Sequence, residues 1–124
     1  MYRVWFNAAD YEDSEFAQIL LVVGPRIVDL SWELRIGESQ NYPEGTVPLE
    51  DRGADLCCST LKFMHYITPY VQVIDGTARG FDRDGNLVLI IRVSEDVWQF
   101  ATVDVRIVDL LRGRYPSIEQ DEEW

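Results

Sequence analysis

The sequence predicts a β-dominated α+β domain, with a mainly antiparallel sheet of about six to eight strands and one principal helix near residues 54–67. Three observations carry this. Apolar residues recur with period two along much of the chain, and clusters of Gly, Pro, Asp and Asn separate those stretches. Only one stretch has good helical patterning. At 124 residues the chain is expected to be a single domain, 1–124, ending in an acidic tail at 117–124.

The centre of the pattern runs from Asn86 to Leu111. Leu87 to Val93 is apolar on both faces except at Arg92, as suits a strand covered on both sides. Ser94-Glu95-Asp96 interrupts it with a tight connection. Val97 to Ile107 then returns as a strand with two faces, Trp98, Phe100, Thr102, Asp104 and Arg106 opposing Val97, Ala101, Val103, Val105 and Ile107. A central hairpin follows.

From the N-terminus, Tyr2–Asn7 reads as a short aromatic strand, and Asp10–Glu15 as an acidic loop. Phe16–Val23 is an apolar run stopped by Gly24-Pro25; its terminal valines favour a strand over a short helix capped by Ser14. Val28, Leu30, Trp32, Leu34 and Ile36 alternate with polar residues, which predicts a strand with one buried face. Gly37–Gly53 holds three glycines, two prolines and several acids, a long loop of the functional kind. The helix is predicted from Ala54 to Thr68, capped by Asp55, with Leu56, Cys57, Leu61, Met64 and His65 on one face and Pro69 ending it. Tyr70–Ile74 restarts the sheet, Asp75-Gly76 turns it, and Thr77–Phe81 returns. Asp82–Asn86 is a turn into the central hairpin. Arg26-Ile-Val-Asp-Leu30 recurs as Arg106-Ile-Val-Asp-Leu110, but the flanks differ and no repeat period follows.

Charge is the most informative global property. Twenty-two acids against eleven bases give a net charge of −11, and ten of the bases are arginine. Such a surface repels nucleic acid and anionic lipid and attracts basic partners. No apolar run reaches the length needed to span a bilayer, and the N-terminus lacks the pattern of a signal peptide, so a cytoplasmic setting is expected. The adjacent pair Cys57-Cys58 is expected to be reduced and buried, with no cofactor, because adjacent cysteines rarely bridge.

Motifs that carry chemistry are sparse. Asp82-x-Asp84-x-Asn86 has the opening spacing of a calcium loop, yet Leu87 and Val93 stand where glycine and a bidentate glutamate belong. Cys57, Cys58 and His65 cannot make up the four ligands of a structural zinc, since no other Cys or His exists. Serine-hydrolase, phosphate-loop and dinucleotide signatures are absent. Gly80-Phe81-Asp82 followed by Asn86-Leu87-Val88-Leu89 resembles the first signature of Sm-like RNA-binding proteins, and Leu111-Arg112-Gly113 their second. The chain departs from that pattern at Gly85, in the spacing from Asp75-Gly76, and in its net charge. No site is carried over from the resemblance.

The expected function is therefore that of an acidic stoichiometric binder or inhibitor, of the type represented by immunity proteins and DNA mimics, occluding a basic protein partner. Its contact residues are expected in acidic loops that also hold aromatics: Tyr11, Glu12, Asp13, Tyr42, Glu44, Glu50 and Asp51. Alternatives are a structural subunit of a homo-oligomer and a small enzyme using His65 as its acid–base group.

Overall fold

The computed structural model describes residues 1–12, 15–40, 56–67 and 71–120. In these residues the strands are β1 (Tyr2–Asn7), β2 (Ser31–Gln40), β3 (Leu56–Ser59), β4 (Gln72–Phe81), β5 (Leu87–Ser94), β6 (Val97–Thr102) and β7 (Glu119–Gln120). They form one seven-stranded sheet in the order β3-β2-β4-β5-β6-β1-β7, with every neighbouring pair antiparallel. The helices are α1 (Phe16–Val23), α2 (Thr60–Tyr66) and α3 (Val105–Arg114). The predicted class holds, with more helix than expected.

Strand period decides which face is buried. Val4 and Phe6 of β1, Trp32 and Leu34 of β2, Ala78 of β4, Leu89, Ile91 and Val93 of β5, and Trp98 and Phe100 of β6 share one face and are almost fully buried. All three helices pack there. Phe16 of α1 meets Trp98 edge-on at 5.0 Å, Phe63 of α2 meets Trp32 at 5.1 Å, and Tyr115, just past α3, stacks on Phe6 at 4.4 Å. The opposite face carries no described element.

Several expectations are corrected. Phe16–Val23 is a helix, because Phe16, Ile19, Leu20 and Val23 recur at three- and four-residue spacing and bury one stripe. The strand predicted to reach Ile107 stops at Thr102. The Asp104 carboxylate accepts from the Arg106 amide at 3.0 Å and starts α3, which buries Ile107, Val108 and Leu111. The principal helix begins later than expected, at Thr60, because Ser59 caps it by accepting from the Lys62 amide; Leu56–Ser59 pair with β2 instead. Its buried face is therefore Thr60 and Phe63, while Leu61 is 80% exposed. Val28 lies before β2 and is exposed. Asp75-Gly76 does not turn the chain: β4 runs through it, and the irregularity is taken up by a register shift beside Glu38. At the C-terminal end, Glu119 and Gln120 pair with Trp5 and Val4 as an edge strand.

One buried hydroxyl ties the layers together. Thr60 Oγ1 accepts from Trp32 Nε1 at 2.8 Å and donates to the Ile27 carbonyl at 2.6 Å. At the opposite end of α3 from Tyr115, Arg26 Nε donates to the second Asp104 oxygen at 2.8 Å, joining the end of the α1 segment to the α3 cap.

Candidate functional site

Antiparallel register brings acids from separate parts of the chain to one end of the sheet. Asn7 and Ser94 both pair with Val97, so the end of β1 lies beside the β5–β6 turn. Val93 pairs with Gly76, and Glu38 lies opposite Asp75 where β2 and β4 run past their neighbours. The Asp96 carbonyl accepts from the Ala8 amide at 2.7 Å, which ties the turn to the segment carrying Asp10 and Glu12. Asp10, Glu12, Glu38, Asp75, Glu95 and Asp96 thus rim this end, all exposed. No lysine or arginine occurs in the stretches that supply them, 7–12, 36–40, 72–76 and 94–97.

Two features of this rim run against local preference. Glu95 and Asp96 form the two-residue turn with φ of 49° and 66°. Such turns favour Asn-Gly, because a side chain in the left-handed region crowds its own backbone. Glu38 and Asp75 place like charges directly opposite each other on paired strands, which is also unfavourable. The Asp75 carboxylate lies over Gly37, where a Cβ would come within 3.1 Å of its oxygen.

The residues predicted as contacts are distributed as follows. Glu12 is exposed on the acidic rim. Tyr11 is half-buried: its ring packs edge-on against Phe6 and Tyr115, and its hydroxyl accepts from the Ser117 amide at 2.7 Å and donates to Ser117 Oγ at 2.8 Å. It is engaged in clasping the C-terminal segment rather than offered as open contact area. Asp13, Tyr42, Glu44, Glu50 and Asp51 lie outside the described residues. Sequence reasoning placed Glu38 in an acidic docking segment but missed Asp75, Glu95 and Asp96, since only the strand order brings them beside it.

Groups considered for chemistry sit apart. His65 is exposed on α2, beside a wide hollow of about 570 Å³ that Ser59, Leu61, Lys62 and Met64 also line. None of these described lining residues is a carboxylate or thiol that could orient the imidazole. Cys57 is exposed, contrary to expectation, and Cys58 half-buried; burial, and then the neighbouring Cys57, push the Cys58 thiol up to about 11, with Lys62 opposing. Asp82 uses one carboxylate oxygen to accept from the Asp84 and Asn86 amides, so the calcium-like spacing is a turn. Among the described residues no group of three or more His, Cys, Asp or Glu could hold a metal ion, and no helix is long and apolar enough to cross a membrane. No protein-family model, curated protein or solved structure matches the chain.

Proposed function

We infer that the protein is a stoichiometric binder whose acidic rim takes a basic surface of a partner protein. One observation carries this reading: the rim holds carboxylates at positions where both the turn and the strand pairing disfavour them. Left-handed non-glycine residues and opposed like charges cost stability, and such costs concentrate at sites that serve recognition. Glu95 and Asp96 at the tip, with Asp75 one strand away and Glu38 two, form an array held by paired strands rather than a diffuse negative surface. Asp10 and Glu12 extend it along the end of β1. In this reading the protein acts by occlusion, as an inhibitor does, and needs no catalytic group.

The test is kinetic. A basic partner captured from the native host at low salt is identified, and its association is followed by stopped-flow fluorescence. The variant Glu95→Asn/Asp96→Gly, combined with Glu38→Gln/Asp75→Asn, is expected to slow association about tenfold or more and to flatten its dependence on salt. Charge reversal of Glu12, Asp13, Glu50 and Asp51 to Lys should act in the same direction. Unchanged association at low salt in the folded rim variant overturns the reading.

A further inference from the structure

The face of the sheet that no described helix covers has a different electrostatic character from the rest of the protein. Register aligns Trp5, Gln99, Arg92, Thr77 and Arg35 in one row across β1, β6, β5, β4 and β2. The next row is Arg3, Ala101, Ile90, Arg79 and Glu33. Four of the eleven basic residues of a chain with net charge −11 therefore lie on one face, accompanied within these rows by the single carboxylate Glu33. Arg35, Arg79 and Arg92 are exposed, and they form a triangle around Thr77 on adjacent strands. Strand spacing puts their Cα atoms about 8–10 Å apart. Ile90, Ala101 and Trp5 supply an apolar stripe beside them, half-buried or buried by their neighbours.

Between the arginines is a depression of about 90 Å³ lined by Glu33, Arg35, Thr77 and Arg79. Glu33 reaches Arg79 only at 3.9 Å, longer than a hydrogen bond, so the Arg79 guanidinium keeps donors for another carboxylate. We propose that this face, centred on Arg79 and Arg92, docks an extended acidic segment of a partner protein, with carboxylates seated at these two arginines and aliphatic side chains on the Ile90 stripe. Charge complementarity selects the occupant. An extended peptide repeats its side chains on one face about every 7 Å, close to the spacing of the arginine rows. A nucleic acid strand would run past the patch onto the acidic rim at Glu38 and Asp75, where its phosphates are repelled. A second copy paired face to face would set the arginines against themselves.

The proposal is independent of the acidic rim, and the test separates them. Fluorescence anisotropy at low salt is measured with two labelled probes, a decapeptide of alternating glutamate and alanine and a ten-nucleotide oligothymidylate. The peptide is expected to bind, to weaken with salt, and to lose at least about tenfold in affinity in Arg79→Ser/Arg92→Ser. Its binding should change less than about threefold in Glu95→Asn/Asp96→Gly. Arg79→Lys/Arg92→Lys, which keeps the charge but not the fork, is expected to fall between wild type and the serine variant, and it serves as the readout if the serine variant does not fold. Peptide binding that is absent, or indifferent to these arginines, overturns the proposal. So does tighter binding of the oligonucleotide through the same arginines, or self-association that the serine variant abolishes.

Discussion

A single hydroxyl illustrates how much a buried polar atom can decide. Thr60 Oγ1 satisfies the Trp32 indole and caps the Ile27 carbonyl inside a largely apolar core. Replacing it with valine keeps the shape and strands both partners without water. Thr60→Val should cost about 1–3 kcal/mol in urea unfolding, whereas Thr60→Ser, which keeps the hydroxyl, should lose only about 0.8 kcal/mol for its methyl group. Equal losses would show that packing, not hydrogen bonding, dominates there. The two cysteines give a second residue-level contrast. Strand alternation turns Cys57 outward and leaves Cys58 half-buried with its thiol pushed up to about 11. Only the thiolate reacts, so at pH 8 Cys58 stays protonated, and its labelling should rise as pH approaches that value. Iodoacetamide at pH 8 should therefore modify Cys57 well ahead of Cys58, as peptide mapping by mass spectrometry would read. Equal labelling at pH 8 would mean that β3 opens readily from its edge position.

At the scale of elements, the β5–β6 turn offers the sharpest prediction. Glu95→Asn/Asp96→Gly installs the residues that a left-handed two-residue turn prefers and should stabilise the fold by about 1 kcal/mol per position, seen as a higher urea midpoint with unchanged slope. Coupled with weaker partner binding, that gain would show stability traded for recognition. The turn itself was legible in Ser94-Glu95-Asp96, and so were β1, the body of β2, and β5, where alternation or continuous apolarity leaves little choice. What misled was local ambiguity. Phe16–Val23 is apolar enough to satisfy either period, and only the core it faces shows that the helical one wins. Ala101 to Ile107 alternates without a break, yet Asp104 ends the strand by capping the next backbone turn. The acidic cluster at Glu12 could be read in sequence, but the joining of Glu38, Asp75, Glu95 and Asp96 could not, because it depends on strand order.

Across the whole molecule, charge is sorted rather than mixed: an acidic rim at one end of the sheet, arginines on the open face, and ion pairs such as Arg26–Asp104 and Arg83–Asp29 towards the other end. Net charge of −11 makes the compact state repel itself, most strongly where carboxylates are crowded. Raising sodium chloride from about 0.05 to 0.5 M shortens the Debye length to a few ångströms and should raise the melting temperature by several degrees. The rim variant should show a smaller increase. A melting temperature insensitive to salt would mean that the rim carboxylates are already neutralised by contacts within the fold.

The position of β1 has a consequence for how the chain is made. Phe6 pairs with Trp98 and Trp5 with Gln99, so the first strand finds its partner only after more than ninety intervening residues have been added. The β4-β5-β6 meander can close as it emerges from the ribosome, since its neighbours follow one another in the chain. Until then the Val4-Trp5-Phe6 ribbon waits unpaired, for about 5–20 s at ordinary translation rates. During those seconds it is an aromatic strand with open edges, the segment for which a nascent-chain chaperone would compete with the finished sheet.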